Sequence, residues 1–153
     1  MLISTNLELC EDLQSKAHVD EIINGSSVNC TTKYFHGQIP NFGYSTSTYW
    51  AKFSISNESK NSLFFLEYAF PSMQNVELFE YDGDHFKSRL LGKNFPFFDR
   101  PLFSHNFIFP LNILSKTKKT FIMRTKTLGA VQIPLFVHTP ESLIKKAQIE
   151  SIS

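Results

Sequence analysis

A chain of 153 residues, 42% of them hydrophobic, has the material for one domain with a core, which excludes a disordered tail. Only 19% of residues are charged and the formal net charge is +1, so no long-range field draws the chain to nucleic acid or to an anionic membrane surface. With no arginine-rich run and no recognition-helix pattern, nucleic acid is not an expected partner.

The N-terminal residues lack the basic start and apolar run of a secretory signal. No segment reaches the roughly 18 consecutive apolar residues of a membrane span. If the native protein is exported, this is a piece of a longer chain. The first forty residues predict a strand or two, with a helical stretch at Asp20 to Ile23. Cys10 and Cys30 belong to no Cys-x-x-Cys pair, and their positions alone allow one disulfide or two free thiols equally.

After the glycine-marked turn at Gly43, Ser47 to Ile55 predicts a strand. It sets Tyr49, Ala51, Phe53 and Ile55 on one side, and Thr48, Trp50, Lys52 and Ser54 on the other. The only tryptophan and a cation therefore share an otherwise polar face. Leu63 to Phe70 is a dense apolar run suited to a central strand. Gln74 to Tyr81 alternates Val76 and Leu78 with Glu77 and Phe79. Asp82-Gly83-Asp84 suits a tight hairpin turn, returning as His85 to Leu91. Phe95 to Pro101 is an aromatic loop bounded by prolines, which cannot sit in a central strand. His105 to Phe109, Thr120 to Lys126 and Ala130 to His138 complete the strands. Thr139 as N-cap with Pro140 at the first helical position starts a short C-terminal helix. Many short strands separated by turn residues predict an all-β sandwich or barrel.

Motifs for catalysis are absent. The five histidines are scattered with no His-Glu-x-x-His, there is no phosphate-cradling glycine loop, and no Gly-x-Ser-x-Gly elbow. Asp82-Gly83-Asp84 lacks the later ligands of a calcium loop. Glu77 and Glu80 point to opposite faces of their strand, so they form no acid–base pair. Neither metal nor cofactor is expected, nor an enzymatic activity.

What remains is a binding face. Trp50 and Lys52 share one parity on their strand. Glu77, Phe79 and Tyr81 share one on the next, and Ile122, Arg124 and Lys126 on a third. Aligned in one sheet, they make a surface of rings and charged hydrogen-bonding groups of the kind that holds a small polar ligand such as a carbohydrate. Each residue also has a structural reading: Trp50 as inter-sheet core, Phe79 and Tyr81 beneath a loop, Arg124 paired with Glu67 or Glu77. Arg100, between the aromatic cluster and Pro101, offers a guanidinium fork either to a carboxylate ligand or to lock its own loop.

The ordered series is Gly43-Tyr44, Tyr49-Trp50-Ala51-Lys52-Phe53-Ser54-Ile55-Ser56-Asn57, Leu66 to Pro71, Val76 to Gly83, Gly92 to Pro101, Phe121 to Thr125 and Ile133 to Val137. It resembles the second type of extracellular sensor domain in bacterial seven-transmembrane receptors with diverse intracellular signalling modules. The resemblance runs from about Leu7 to Leu143 and implies a jelly-roll sandwich like a carbohydrate-binding module. It further implies a periplasmic location, a membrane-anchored parent protein, and residues 144–153 as a helix or linker towards its membrane segment. An oxidising periplasm favours a Cys10–Cys30 disulfide. The family often has arginine where this chain has Lys52, which keeps the charge but loses the planar fork, so no bidentate carboxylate contact follows there. The implied function is non-enzymatic ligand sensing, with Trp50, Lys52, Tyr81, Arg100 and Arg124 as ligand-binding candidates. The alternatives are an interaction module that pairs with a partner or a second copy as a homodimer, or an enzyme-associated carbohydrate-binding module.

Overall fold

The computed structural model describes residues 7–25, 30–34, 39–70, 75–91 and 106–152. In chain order the elements are β1 (Glu8–Asp12), α1 (Val19–Asn24), β2 (Cys30–Tyr34), β3 (Asn41–Tyr44), β4 (Thr48–Asn57), β5 (Leu63–Tyr68), β6 (Asn75–Tyr81), β7 (Phe86–Leu91), β8 (Phe107–Asn112), β9 (Thr117–Lys126), β10 (Ala130–Gln132), β11 (Leu135–His138) and α2 (Pro140–Ile152). A six-stranded sheet runs β2-β1-β4-β9-β6-β7, a three-stranded sheet runs β11-β5-β8, and β10 pairs with β3. Every pairing is antiparallel.

The alternation along each strand makes this an all-β sandwich. Tyr49, Ala51, Phe53 and Ile55 of β4 point inward, with Phe121 and Met123 of β9 and Val76 and Leu78 of β6. They meet Leu66 and Tyr68 of β5, Phe107, Phe109 and Leu111 of β8, and Leu135 and Val137 of β11. One apolar interior thus lies between the two larger sheets, and its burial is the main stabilising term. Burial also pushes the Tyr68 phenol pKa up, and its hydroxyl donates to the Gln132 carbonyl.

The strand faces agree with the sequence pattern, whereas several boundaries differ from it: β8 runs later than the expected His105 to Phe109, β9 begins three residues before Thr120, and two differences change the topology. Ala130 to His138 is not one strand. Pro134 has no N–H for a ladder, and there the chain leaves the β10–β3 pair to enter the three-stranded sheet as β11. β3 is a further strand just before β4, and Gly43 sits within it at φ 63°. The turn at Asp82 is as expected. The Asp82 carboxylate accepts from the backbone N–H groups of Asp84 and His85 at 2.9 and 2.7 Å, which hold its pKa below the usual range, and Gly83 takes φ 106°. At the other end of the chain, the Thr139 hydroxyl caps α2 by accepting from the Ser142 N–H at 3.1 Å.

Candidate functional site

The outer face of the six-stranded sheet aligns the three strand parities in one register. Trp50 stands opposite Arg124, and Arg124 opposite Glu77. One step along, Lys52 faces Ile122 and Ile122 faces Phe79.

Trp50 is 3% exposed, and its cover is α1 rather than the other sheet. Ala17 and Ile22 pack with it, together with Cys10 and Ile122, and Val19 and Ile23 close the edge. One carboxylate organises this cover. Asp12, fully buried at the end of β1, accepts from the N–H groups of Lys16 and Ala17 at 3.1 and 2.9 Å, and from the Trp50 indole at 3.3 Å. A buried indole N–H needs such a partner. Lys52 serves the same cover: its ammonium donates to the Ile23 carbonyl at 3.2 Å, in the last turn of α1, where a cation also complements the helix dipole. Gly25 ends that helix in the left-handed conformation at φ 66°.

Beyond α1 the face opens. Phe79 lies 6.1 Å from Trp50, Phe86 stands edge-on to Phe79 at 6.2 Å, and Tyr81 lies 4.8 Å from Phe86. Phe79, Tyr81 and Phe86 are half-buried. The Tyr81 hydroxyl donates to the Gly83 carbonyl at 2.6 Å, fixing the ring against the turn. Arg124 lies over the Trp50 ring at 5.7 Å. Among the described residues no acceptor takes a hydrogen bond from its guanidinium, and Glu77 beside it instead accepts from Ser88 at 2.8 Å. Arg100 lies outside the described residues. Phe86 belongs to this row although its position beside the turn carried no parity signal. The cover by α1 was equally illegible, because its six residues show only a short apolar spacing.

Cys10, directly opposite Trp50 in register, is disulfide-bonded; Cys30, the chain's other cysteine, faces Asp12 in the β1–β2 register. An open cleft of about 150 Å³ at the β6–β7 turn is lined by Glu80, Asp82, His85, Phe86, Lys87 and Lys119. It contains none of the expected site residues, and Glu80 there lies 3.7 Å from Lys119. Among the described residues no group of three or more His, Cys, Asp or Glu side chains is arranged to hold a metal.

The second charged feature lies across the molecule, on the outer face of the small sheet. Glu67 of β5 is 1% exposed. Its carboxylate accepts from Asn106 at 2.7 Å, from the Lys146 ammonium, and pairs with His138 Nε2 at 2.8 Å. His138 Nδ1 in turn meets the Ser142 hydroxyl at 3.2 Å. Burial alone would raise the Glu67 pKa, but the hydrogen bonds from Lys146, Asn106 and His138 and the Lys146 charge outweigh it and hold the carboxyl below its usual range. Glu67 is therefore no partner of Arg124: the two residues occupy different sheets.

A model of the 7TMR-DISM extracellular 2 family matches residues 4–139, nearly all of the sandwich. The chain belongs to that family. It is thus an extracytoplasmic domain of the seven-transmembrane receptor class, as the ordered series of strand motifs implied. No curated protein matches the chain. Among the described residues of this 7TMR-DISM domain, no helix is long and apolar enough to cross a membrane.

Proposed function

We propose that this 7TMR-DISM domain is a non-enzymatic sensor that binds a small polar ligand, such as a carbohydrate, on the outer face of the six-stranded sheet between α1 and the β6–β7 turn. The observation that carries the proposal is the row Phe79, Phe86 and Tyr81 ending at Arg124, whose fork has no hydrogen-bond acceptor among the described residues. Half-buried rings offer stacking surface to the C–H face of a sugar, and a guanidinium drawn over the tryptophan ring offers directed donors to a hydroxyl or carboxylate. In this reading Trp50 and Lys52 support the site: both hold α1, Trp50 also lies under Arg124, and the contacts to ligand come from Arg124, Phe79, Phe86 and Tyr81.

A thermal-shift screen of glycans and small organic acids against the purified domain tests it. A hit whose stabilisation disappears in Arg124→Ala and in Phe79→Ala supports the site. A screen without hits, or a hit indifferent to both changes, overturns it. Concentration-dependent dimerisation lost in Arg124→Ala would assign the face to a second copy instead.

A further inference from the structure

We propose that Glu67 is a latch: its carboxylate fixes α2 on the small sheet, and its opening frees α2 while the sandwich stays folded. The inference stands apart from the ligand face and does not depend on what Arg124 binds.

The geometry of α2 carries it. The helix packs against β5 and β11 through Pro140, Leu143 and Lys146, which are half-buried. Glu141, Ser142, Ile144, Lys145, Ala147, Gln148 and Ile149 are exposed. The contact stripe of the described residues therefore contains one leucine, one proline and one lysine. Such a stripe buries little apolar area. To that narrow stripe α2 adds charge at a buried point. Lys146 reaches Glu67 from the helix, and Ser142 reaches it through His138.

The Lys146 tie ends on Glu67 itself and the Ser142 tie ends on His138, whose ring Glu67 orients, so losing that charge breaks the first and loosens the second. The Glu67 carboxylate has the opposite relation to the sandwich interior. It projects from the outer face of β5, while its neighbours Leu66 and Tyr68 face the core. Opening the latch therefore exposes the outer face of the small sheet and leaves the layer between the sheets intact. The groups facing the carboxylate are His138 from β11, Lys146 from α2 and the Asn106 amide just before β8. On α2 itself, Glu141 and Lys145 are exposed and lie outside this cluster.

Because Glu67 titrates lower in the folded protein than in the open chain, the latch is fully closed above the ordinary glutamate range. It opens as the pH falls through the folded value.

Trp50 provides an internal control, since it lies under α1 on the other sheet and reports the sandwich without reporting α2. The test is amide exchange and tryptophan emission in wild type and Lys146→Met, which keeps an apolar stem of similar length and removes the charge. Amides of 143–149 are expected to exchange about tenfold faster in the variant, with β4 and β9 protection and Trp50 emission unchanged. Glu67→Gln is expected to behave likewise and to lose the acid-dependent step in α2 exchange that wild type shows. Three results overturn the proposal: α2 protection unchanged in both variants, β4 and β9 losing protection in parallel with α2, or Lys146→Met failing to fold. The last two would make the cluster a determinant of the whole fold.

Discussion

Two helices lie on the outer faces of the two sheets, and they are held by different physics. α1 covers the large sheet with Ile22 and the half-buried Val19 and Ile23 against Trp50 and Ile122, with Asp12 and Lys52 satisfying the polar groups at its edges. α2 touches the small sheet along a narrow stripe and is tied by an ion cluster at Glu67. Apolar cover is distributed over many contacts. A buried ion cluster concentrates its strength in a few atoms, and removing one partner is far more damaging than the intact cluster is stabilising. The first device suits an element that stays put, and the second an element that has two positions.

The contrast can be broken most severely at Trp50. Trp50→Ala should lower unfolding free energy by about 3–5 kcal/mol in urea titration, because it removes the largest side chain under α1 and leaves a cavity. Asp12→Ala should cost about 2–4 kcal/mol, since the indole and the N–H groups of Lys16 and Ala17 lose their acceptor together. Its signature is α1 exchanging freely while α2 keeps its protection, the reverse of what Lys146→Met does.

Acid sharpens the comparison more gently. Glu67 contributes stability that is complete above the unfolded glutamate range and fades as pH falls through its lower folded value. Helical circular dichroism should decline on that limb before Trp50 emission moves, and the early step should vanish in Glu67→Gln. The smallest effect belongs to Arg124→Ala, about 0.5–1 kcal/mol from the lost ring contact, with both helices remaining docked. If that change instead loosens α1, the arginine is part of the cover and not of a binding face.

The chain disclosed its strand faces and withheld its covers. Alternation alone set Tyr49, Ala51, Phe53 and Ile55 inward and aligned Trp50, Arg124 and Glu77, because a period of two is local and strong in β4, β6 and β9. That Trp50 is shielded could not be read there: its shield begins more than thirty residues earlier, in a helix too short to show a convincing period. Glu67 was legible only as a strand carboxylate and a candidate partner for Arg124, which the structure places on the other sheet. Its partners come from two distant stretches, Asn106 just before β8 and His138 with Lys146 at the β11–α2 end, and nothing near Glu67 marks them as neighbours. Pro134 was visible throughout, and its lack of an N–H was the clue that the last β-patterned stretch changes sheets. The expected loop arginine, Arg100, lies outside the described residues and so enters neither helix's account.

The pairing of β4 with β9 has a consequence for how the domain comes to exist. These two strands form the longest ladder among the described residues, from Thr48 opposite Lys126 to Asn57 opposite Thr117, yet they come from opposite halves of the chain. Contacts of such sequence separation are slow to form, because the entropy cost of closing the long intervening loop comes before the contacts offset it. During synthesis and passage across a membrane, β4 emerges long before β9, with one backbone edge unpaired and the core face of Tyr49, Ala51, Phe53 and Ile55 uncovered. That interval is when the nascent domain is most open to wrong pairing with another chain, and it ends only when β9 arrives.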